Sequence, residues 1–177
     1  MQPSSPDVRM QALVPDLLER DLHLVFCGTA PSRASAAAVA YYANPGNQFW
    51  ATLHRVGLTS NQFAPKDYRR LLEYRIGLTD LCKGHSGNDD ELPLEGFDID
   101  AFRRKIIRFH PRVVAFTSKT AARIALGAPA DYGWHSNVIG ETRVYVCCST
   151  SGRARRFWQE NVWKKLSREV RALNKES

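Results

Sequence analysis

The sequence predicts an α/β fold: a three-layer α/β/α sandwich around a mainly parallel four-stranded sheet. Three observations carry that prediction. Four apolar runs of strand length stand at residues 22–27, 76–81, 112–117 and 143–148. Segments of helical periodicity separate them, and strands that alternate with helices favour a parallel sheet covered on both faces. At 177 residues, the chain has the length of one domain with a full core. Residues 1–13 read as a flexible N-terminal tail and residues 14–177 as that single domain.

Taken in order, residues 1–10 are polar and carry Pro3 and Pro6, as a loose tail does. Residues 14–18 suggest a short turn of helix leading into the first strand. That strand, 22–27, ends abruptly in Gly28-Thr29-Ala30-Pro31-Ser32. A small-residue stretch at 34–40 follows, then Tyr41, Tyr42 and Asn44-Pro45-Gly46. Residues 47–56 read as a helix, with Phe49, Trp50, Leu53 and Val56 at core-facing spacing. Residues 65–74 read as a short helix with Pro65 at its first position, where a missing N–H costs nothing. The second strand is 76–81. Residues 83–96, rich in Gly, Asp and Asn, read as a long surface loop. Helix 98–110 places Phe102, Ile106 and Phe109 on one side, with Asp98 or Asp100 as its cap. Strand 112–117 leads into helix 118–126. Residues 128–140 read as a loop, and 143–148 as the fourth strand. A final helix buries Val162, Trp163, Leu166, Val170 and Leu173.

Composition narrows the class of function. The net charge of +7 fits either a merely basic protein or one drawn to a polyanion such as nucleic acid. No apolar run reaches the length of a membrane span, and no secretory signal is visible. Cys27, Cys82, Cys147 and Cys148 are scattered, with no C-x-x-C pair, so neither a zinc site nor an iron–sulfur cluster is expected. The expected setting is a reducing cytoplasm of bacterial type, and the expected state a monomer without cofactor. Neither G-x-x-x-x-G-K-[ST] nor G-x-G-x-x-G occurs, which argues against a plain nucleotide-binding protein.

Two loops carry the chemistry. Both follow strands, so in a parallel sheet both reach the carboxyl edge and can share one cleft. The first is Gly28 to Ser32, where Gly28 permits close approach to the backbone and Pro31 stiffens the turn. The second is Ser149-Thr150-Ser151-Gly152-Arg153. Small hydroxylated residues there fit an ordinary helix cap or a phosphate grip. Arg153, Arg155 and Arg156 crowd a helix start against its dipole, a cost that a nearby anion relieves.

The first loop, followed by Tyr42 and Pro45-Gly46-Asn47-Gln48-Phe49-Trp50, resembles the first motif of the uracil-DNA glycosylase superfamily, in particular its mismatch-specific uracil/thymine branch. That motif reads G-I-N-P-G, then an aromatic, then P-x-N-x-F-W. The resemblance extends over residues 14–173. Residues 76–81 resemble the G-x-T-x-L segment, Ser118-Lys119 the strand–G-K–helix with Ser for Gly, and 149–153 the segment S-S-S-A-R. One departure stands out: the family's catalytic Asn falls on Ala30. In that feature the chain is similar to the hypoxanthine-DNA glycosylases, whose motif is close to G-T-x-P-S.

The resemblance implies a monofunctional glycosylase that flips a nucleotide out of DNA and hydrolyses its N-glycosidic bond. Its partner is DNA, single-stranded or mismatched duplex, holding a deaminated base. Thr29, Ala30, Tyr42 and Ser149 then surround the base, with Tyr42 stacked on it. Ser32, Lys119, Ser151, Gly152, Arg153 and Arg156 meet phosphates or the gap in the stack. Since Ala30 cannot hold the attacking water, Asn47 and Asp80 are the candidates for that task. Asn47 also reads as a helix cap, Asp80 as a structural strand-end carboxylate, and His135 as a pocket rim or plain loop residue. Uracil leaves more readily than thymine, so uracil is the expected target. Hypoxanthine is the runner-up, and damage binding without cleavage is a third outcome that Ala30 leaves open.

Overall fold

The computed structural model describes residues 11–176, so residues 1–10 of the expected tail lie outside the described residues. A five-stranded sheet in the order β2-β1-β3-β5-β4 forms the middle layer. The strands β1 (Leu24–Gly28), β2 (Ile76–Asp80), β3 (Val113–Phe116) and β5 (Thr142–Val146) run parallel. These are the four expected apolar runs. The strand β4 (Gly133–Ile139) is antiparallel to β5 and makes a fifth, which corrects the expected count of four. It lies inside the stretch that reads as a loop, and the reason is physical. As an edge strand it buries Ile139 alone, and its register shifts between His135 and Val138. A bulged, one-sided edge strand carries little of the hydrophobic pattern that marks buried ones.

Each face of the sheet has its own core. Leu24 and Phe26 of β1 and Tyr145 of β5 point toward α2 (Phe49–Arg55) and α5 (Glu160–Leu173), where Phe49, Leu53, Trp163, Leu166 and Val170 meet them. Val25, Val114, Val144 and Val146 point the other way, toward Phe102 and Ile106 of α3 (Ile99–Phe109) and Ala121, Ala122 and Ala125 of α4 (Lys119–Leu126). Odd and even positions of a strand face opposite ways, so each strand feeds both cores. The small residues of α4 let that helix lie close to the sheet.

Local signals set the helix ends. Asp98, not Asp100, caps α3 by accepting from the Ala101 N–H at 2.8 Å. Ser118 caps α4, and Ser32 caps the six-residue α1 (Arg33–Ala38) inside the small-residue stretch. Pro65–Tyr74 winds as a 3-10 helix rather than an α-helix. Residues 14–18 form no helical turn. Instead Leu17 exchanges backbone bonds of 2.9 and 3.0 Å with Leu78, bridging the outer edge of β2. The Leu17 carbonyl crosses so closely over Gly77 that a Cβ there would stand 2.5 Å from it.

The chain leaves β1 for β2 on one side and returns to β3 on the other. The sheet therefore has its topological switch between β1 and β3, where a crevice opens beyond the carboxyl ends of the strands. Gly28 and Thr117 lie at that crevice.

Candidate active site

A cleft of about 440 Å³ occupies the crevice. Gly28 to Ser32 form one wall, Ser149 to Ser151 with Arg153 and Phe157 another, and Asp80 ends β2 at the floor. Two loops some 120 residues apart in sequence thus face each other. Backbone and side-chain bonds lock the second loop to residues 47–48, just before α2. Gln48 N–H donates to the Thr150 carbonyl at 2.9 Å, and the Thr150 hydroxyl donates to Asn47 Oδ1 at 2.7 Å. Gly152 lies against Gly46, whose carbonyl would stand 3.2 Å from an added Cβ.

Asp80 is 3% exposed, and its Oδ2 has no hydrogen-bond partner among the described residues. Its Oδ1 lies directly over Gly28, where a Cβ would approach it to 2.8 Å. Glycine at position 28 therefore makes room for this carboxylate. Burial pushes the Asp80 carboxyl up to about 6, with Lys83 and Lys105 pulling down and Asp16 pushing further up. Behind it, Asp16 bridges Lys83 at 2.9 Å and Lys105 at 2.7 Å and accepts from the Thr79 hydroxyl at 2.7 Å. Burial works against the Asp16 charge, yet the two ammonium groups hold it below its ordinary value. A carboxyl raised to about 6, with one unpartnered oxygen at the floor of a cleft, is suited to accepting a proton near neutral pH.

Tyr42 lies flat against Phe49, with ring centres 3.8 Å apart and planes at 19°. Its hydroxyl donates to Thr117 Oγ1 at 3.3 Å, which fixes the ring where it lines the cleft. Burial and the Asp80 charge raise the phenol well above its usual range, so it stays a donor. Its backbone is left-handed, φ +52°, and the following Ala43 N–H is held by Ser35 Oγ at 3.0 Å.

Asn47 does the work of a cap. Its Oδ1 accepts from the Phe49 N–H at 3.0 Å as well as from Thr150. The Nδ2 has no partner among the described residues, and Asn47 lines the cleft. Both readings of this residue therefore meet in one side chain: the oxygen holds the helix start and the nitrogen is left over.

Thr29, Ala30, Ser32, Tyr42, Asn47, Asp80, Ser149, Ser151 and Arg153 come together in the cleft. Lys119, Gly152 and Arg156 do not. Lys119 pairs with Asp131 at 3.4 Å and covers the Tyr132 ring. Gly152 is spent on the close approach to Gly46, and Arg156 lies over the Phe157 ring. His135 bonds the Asp131 carbonyl at 2.8 Å, away from the cleft. The three arginines occupy a 3-10 segment, Gly152–Phe157, capped by Ser151. Helix α5 starts later with Glu160 in its first turn, so its dipole does not press on them.

Sequence reading missed one wall. Gly87, Asn88, Asp89 and Asp90 of the 83–96 loop line the cleft together with Arg153. The Thr29 hydroxyl donates to Asp89, and Arg33 pairs with Glu91 at 3.0 Å. The length of that loop was the available signal, because long ordered loops beside a sheet edge carry function. Ser118 and Thr120 complete the lining from the start of α4.

A model of the uracil DNA glycosylase superfamily matches residues 15–172, most of the chain. The chain belongs to the uracil DNA glycosylase superfamily. Its fold is similar to the solution NMR structure of a protein from Methanosarcina acetivorans provisionally assigned as a uracil DNA glycosylase. The TM-score is 0.62 at 22% identity, over 92% of this chain and 98% of that one. Superfamily membership supports DNA glycosylase activity, with DNA as the molecule acted on. It also fits the position of the cleft, since the superfamily resemblance of Gly28 to Trp50 and of Ser149 to Arg153 falls on its two walls.

Proposed function

We propose that this member of the superfamily is a monofunctional glycosylase that excises uracil from DNA. The observation that carries the reading is Asp80: a buried carboxyl with an unpartnered oxygen, pushed up to about 6 by burial, at the floor of a cleft built from both resembling loops. The target nucleotide leaves the stack and enters the cleft, as the glycosidic bond demands. The base lies on Tyr42, whose ring Phe49 keeps from turning. Thr29 and Tyr42 present backbone groups to the base edge, and Ser149 closes the far side. Ser32, Ser151 and Arg153 meet the phosphates, and Arg153 fills the gap left in the stack.

Ala30 places no hydrogen-bonding side chain at the water. Asp80 takes over that role, accepting a proton as water oxygen bonds to C1′ and the C1′–N1 bond breaks. Asn47 Nδ2, unpartnered among the described residues, is a donor for the departing base or the water. Uracil leaves as an anion that needs less help than thymine, which suits a site with one proton acceptor. The amide and hydroxyl groups are preorganised, so little reorganisation opposes the step.

The G-T-A-P-S loop and Ser149 in the cleft wall favour a second reading, hypoxanthine as the target. A single-turnover assay separates the two. Oligonucleotides carrying uracil, hypoxanthine or thymine, single-stranded and opposite guanine, are incubated with enzyme and abasic sites are cleaved by heat and alkali. The expected result is cutting at uracil. Cutting at hypoxanthine alone overturns the uracil reading, and binding without release of any base overturns catalysis altogether.

A further inference from the structure

A second cavity, about 240 Å³, lies behind the Ser149–Ser151 ridge, on the side away from Asp80. Gln48, Arg55, Arg155 and Trp158 surround it, and the ridge residues 149–151 are shared with the cleft. Its construction is rigid. Trp158 is backed by Trp163 with ring planes at 27°, and Trp163 Nε1 donates to the Cys148 carbonyl at 3.0 Å. The ridge is pinned by Asn47 from the cleft side and by the Gln48 N–H. The Arg55 guanidinium lies over the Trp158 ring, 5.8 Å from its centre, and pairs with Glu160 at 3.6 Å. Glu160 is shared with Lys164 at 3.2 Å, so the carboxylate does not leave the groove acidic. The Arg155 side chain is exposed and has no ion-pair or hydrogen-bond partner among the described residues.

Charge is uneven around the main cleft. Asp89, Asp90 and Arg153 line it, and Arg155 lines the adjoining groove without a carboxylate partner among the described residues. A polyanionic strand whose nucleotide enters the cleft is disfavoured beside Asp89 and Asp90 and favoured over the ridge toward Arg155. Beyond that ridge it meets an indole, a guanidinium and an amide, the groups that hold an unstacked nucleotide.

We propose that this groove is a subsite for the unflipped neighbour of the target nucleotide on the same strand. The base lies against Trp158 and the Arg55 guanidinium that covers part of its ring, Gln48 offers its amide to the base, and Arg155 meets the intervening phosphate. The ridge then acts as a divider between two adjacent nucleotides, one flipped and one held. This inference rests on the strand-binding part of the function proposed above.

The test is equilibrium binding by fluorescence anisotropy, which requires no excision. A labelled single strand carries a stable abasic analogue at the target position. Either neighbour is a normal nucleotide or a second abasic analogue. For the wild type, removing the neighbouring base on one side weakens binding about tenfold. Trp158→Ala weakens the normal strand by a similar factor and is indifferent to removal of that base. Since Trp158 packs on Trp163, Arg155→Ala, which removes an exposed and unpartnered side chain, is tested beside it and weakens both strands equally. Quenching of tryptophan emission by the strand, lost in Trp158→Phe, is the spectroscopic counterpart. Affinity that ignores both neighbouring bases, or a Trp158→Ala loss that persists without the base, overturns the subsite. Neighbour-independent binding by a protein that does excise uracil removes the subsite alone. Neighbour-dependent binding by a protein that excises nothing keeps the subsite and removes the catalytic reading.

Discussion

Asp80 couples activity and stability in opposite directions. Its carboxyl is raised from an ordinary 3.8 to about 6 by burial. The folded state thus prefers the protonated form. The corresponding stability is full below about pH 4 and is lost as pH rises through about 6. The amount is roughly 2–3 kcal/mol at most. Excision needs the ionised form, so its rate rises through the same interval. Asp80→Asn is expected to lose about 100-fold or more in single-turnover rate and to flatten the pH profile. Its denaturant midpoint is expected to change less between pH 4 and 7 than that of the wild type. Asn47 admits a finer dissection. Asn47→Asp keeps the oxygen that caps α2 and holds Thr150, and is expected to retain the melting temperature while slowing excision. Asn47→Ala loses the cap too, about 1 kcal/mol, visible in the same melt. Asp80 and Asn47 came forward because the resemblance puts Ala30 where the catalytic Asn stands, while their positions at a strand end and a helix start also fitted plain structural roles. The sequence could not show that Asp80 Oδ2 is unpartnered or that Asn47 divides its amide, because both depend on what surrounds them in space.

At the scale of elements, burial decided what was readable. Strands β1, β3 and β5 are buried on both faces and announce themselves as apolar runs, whereas β4 hides because its side chains are half-solvated and bulged. Helix caps at Asp98, Ser118 and Ser32 lie where short polar residues precede a periodic run. The bridge between Leu17 and Leu78 left no sequence signal, since it pairs single residues 61 positions apart. Gly77 is its trace. Gly77→Ala drives a methyl into the Leu17 carbonyl and is expected to cost about 1–3 kcal/mol in urea unfolding. Gly28→Ala makes the contrasting case: its methyl meets the Asp80 carboxylate, so excision should fall further than stability does.

For the whole molecule, the net charge of +7 makes strand affinity salt-dependent. Arg153→Ala is expected to reduce the slope of log affinity against log salt by about one. Excision from duplex should fall more than from single strands. Equal losses on both would remove Arg153 from the gap in the stack. One remote feature governs the centre of all this. Asp80 and Asp16 carry two negative charges and Lys83 and Lys105 two positive ones, so the group is neutral only when Asp80 is ionised. Protonating Asp80 leaves an excess positive charge in the interior, and Asp16 is what keeps that excess small. Asp16→Asn would leave both ammonium groups acting on Asp80 and shift the rise of the pH–rate curve to more acid values. A carboxylate before the first strand, reaching no substrate, thereby sets the acidity at which the cleft is ready to work.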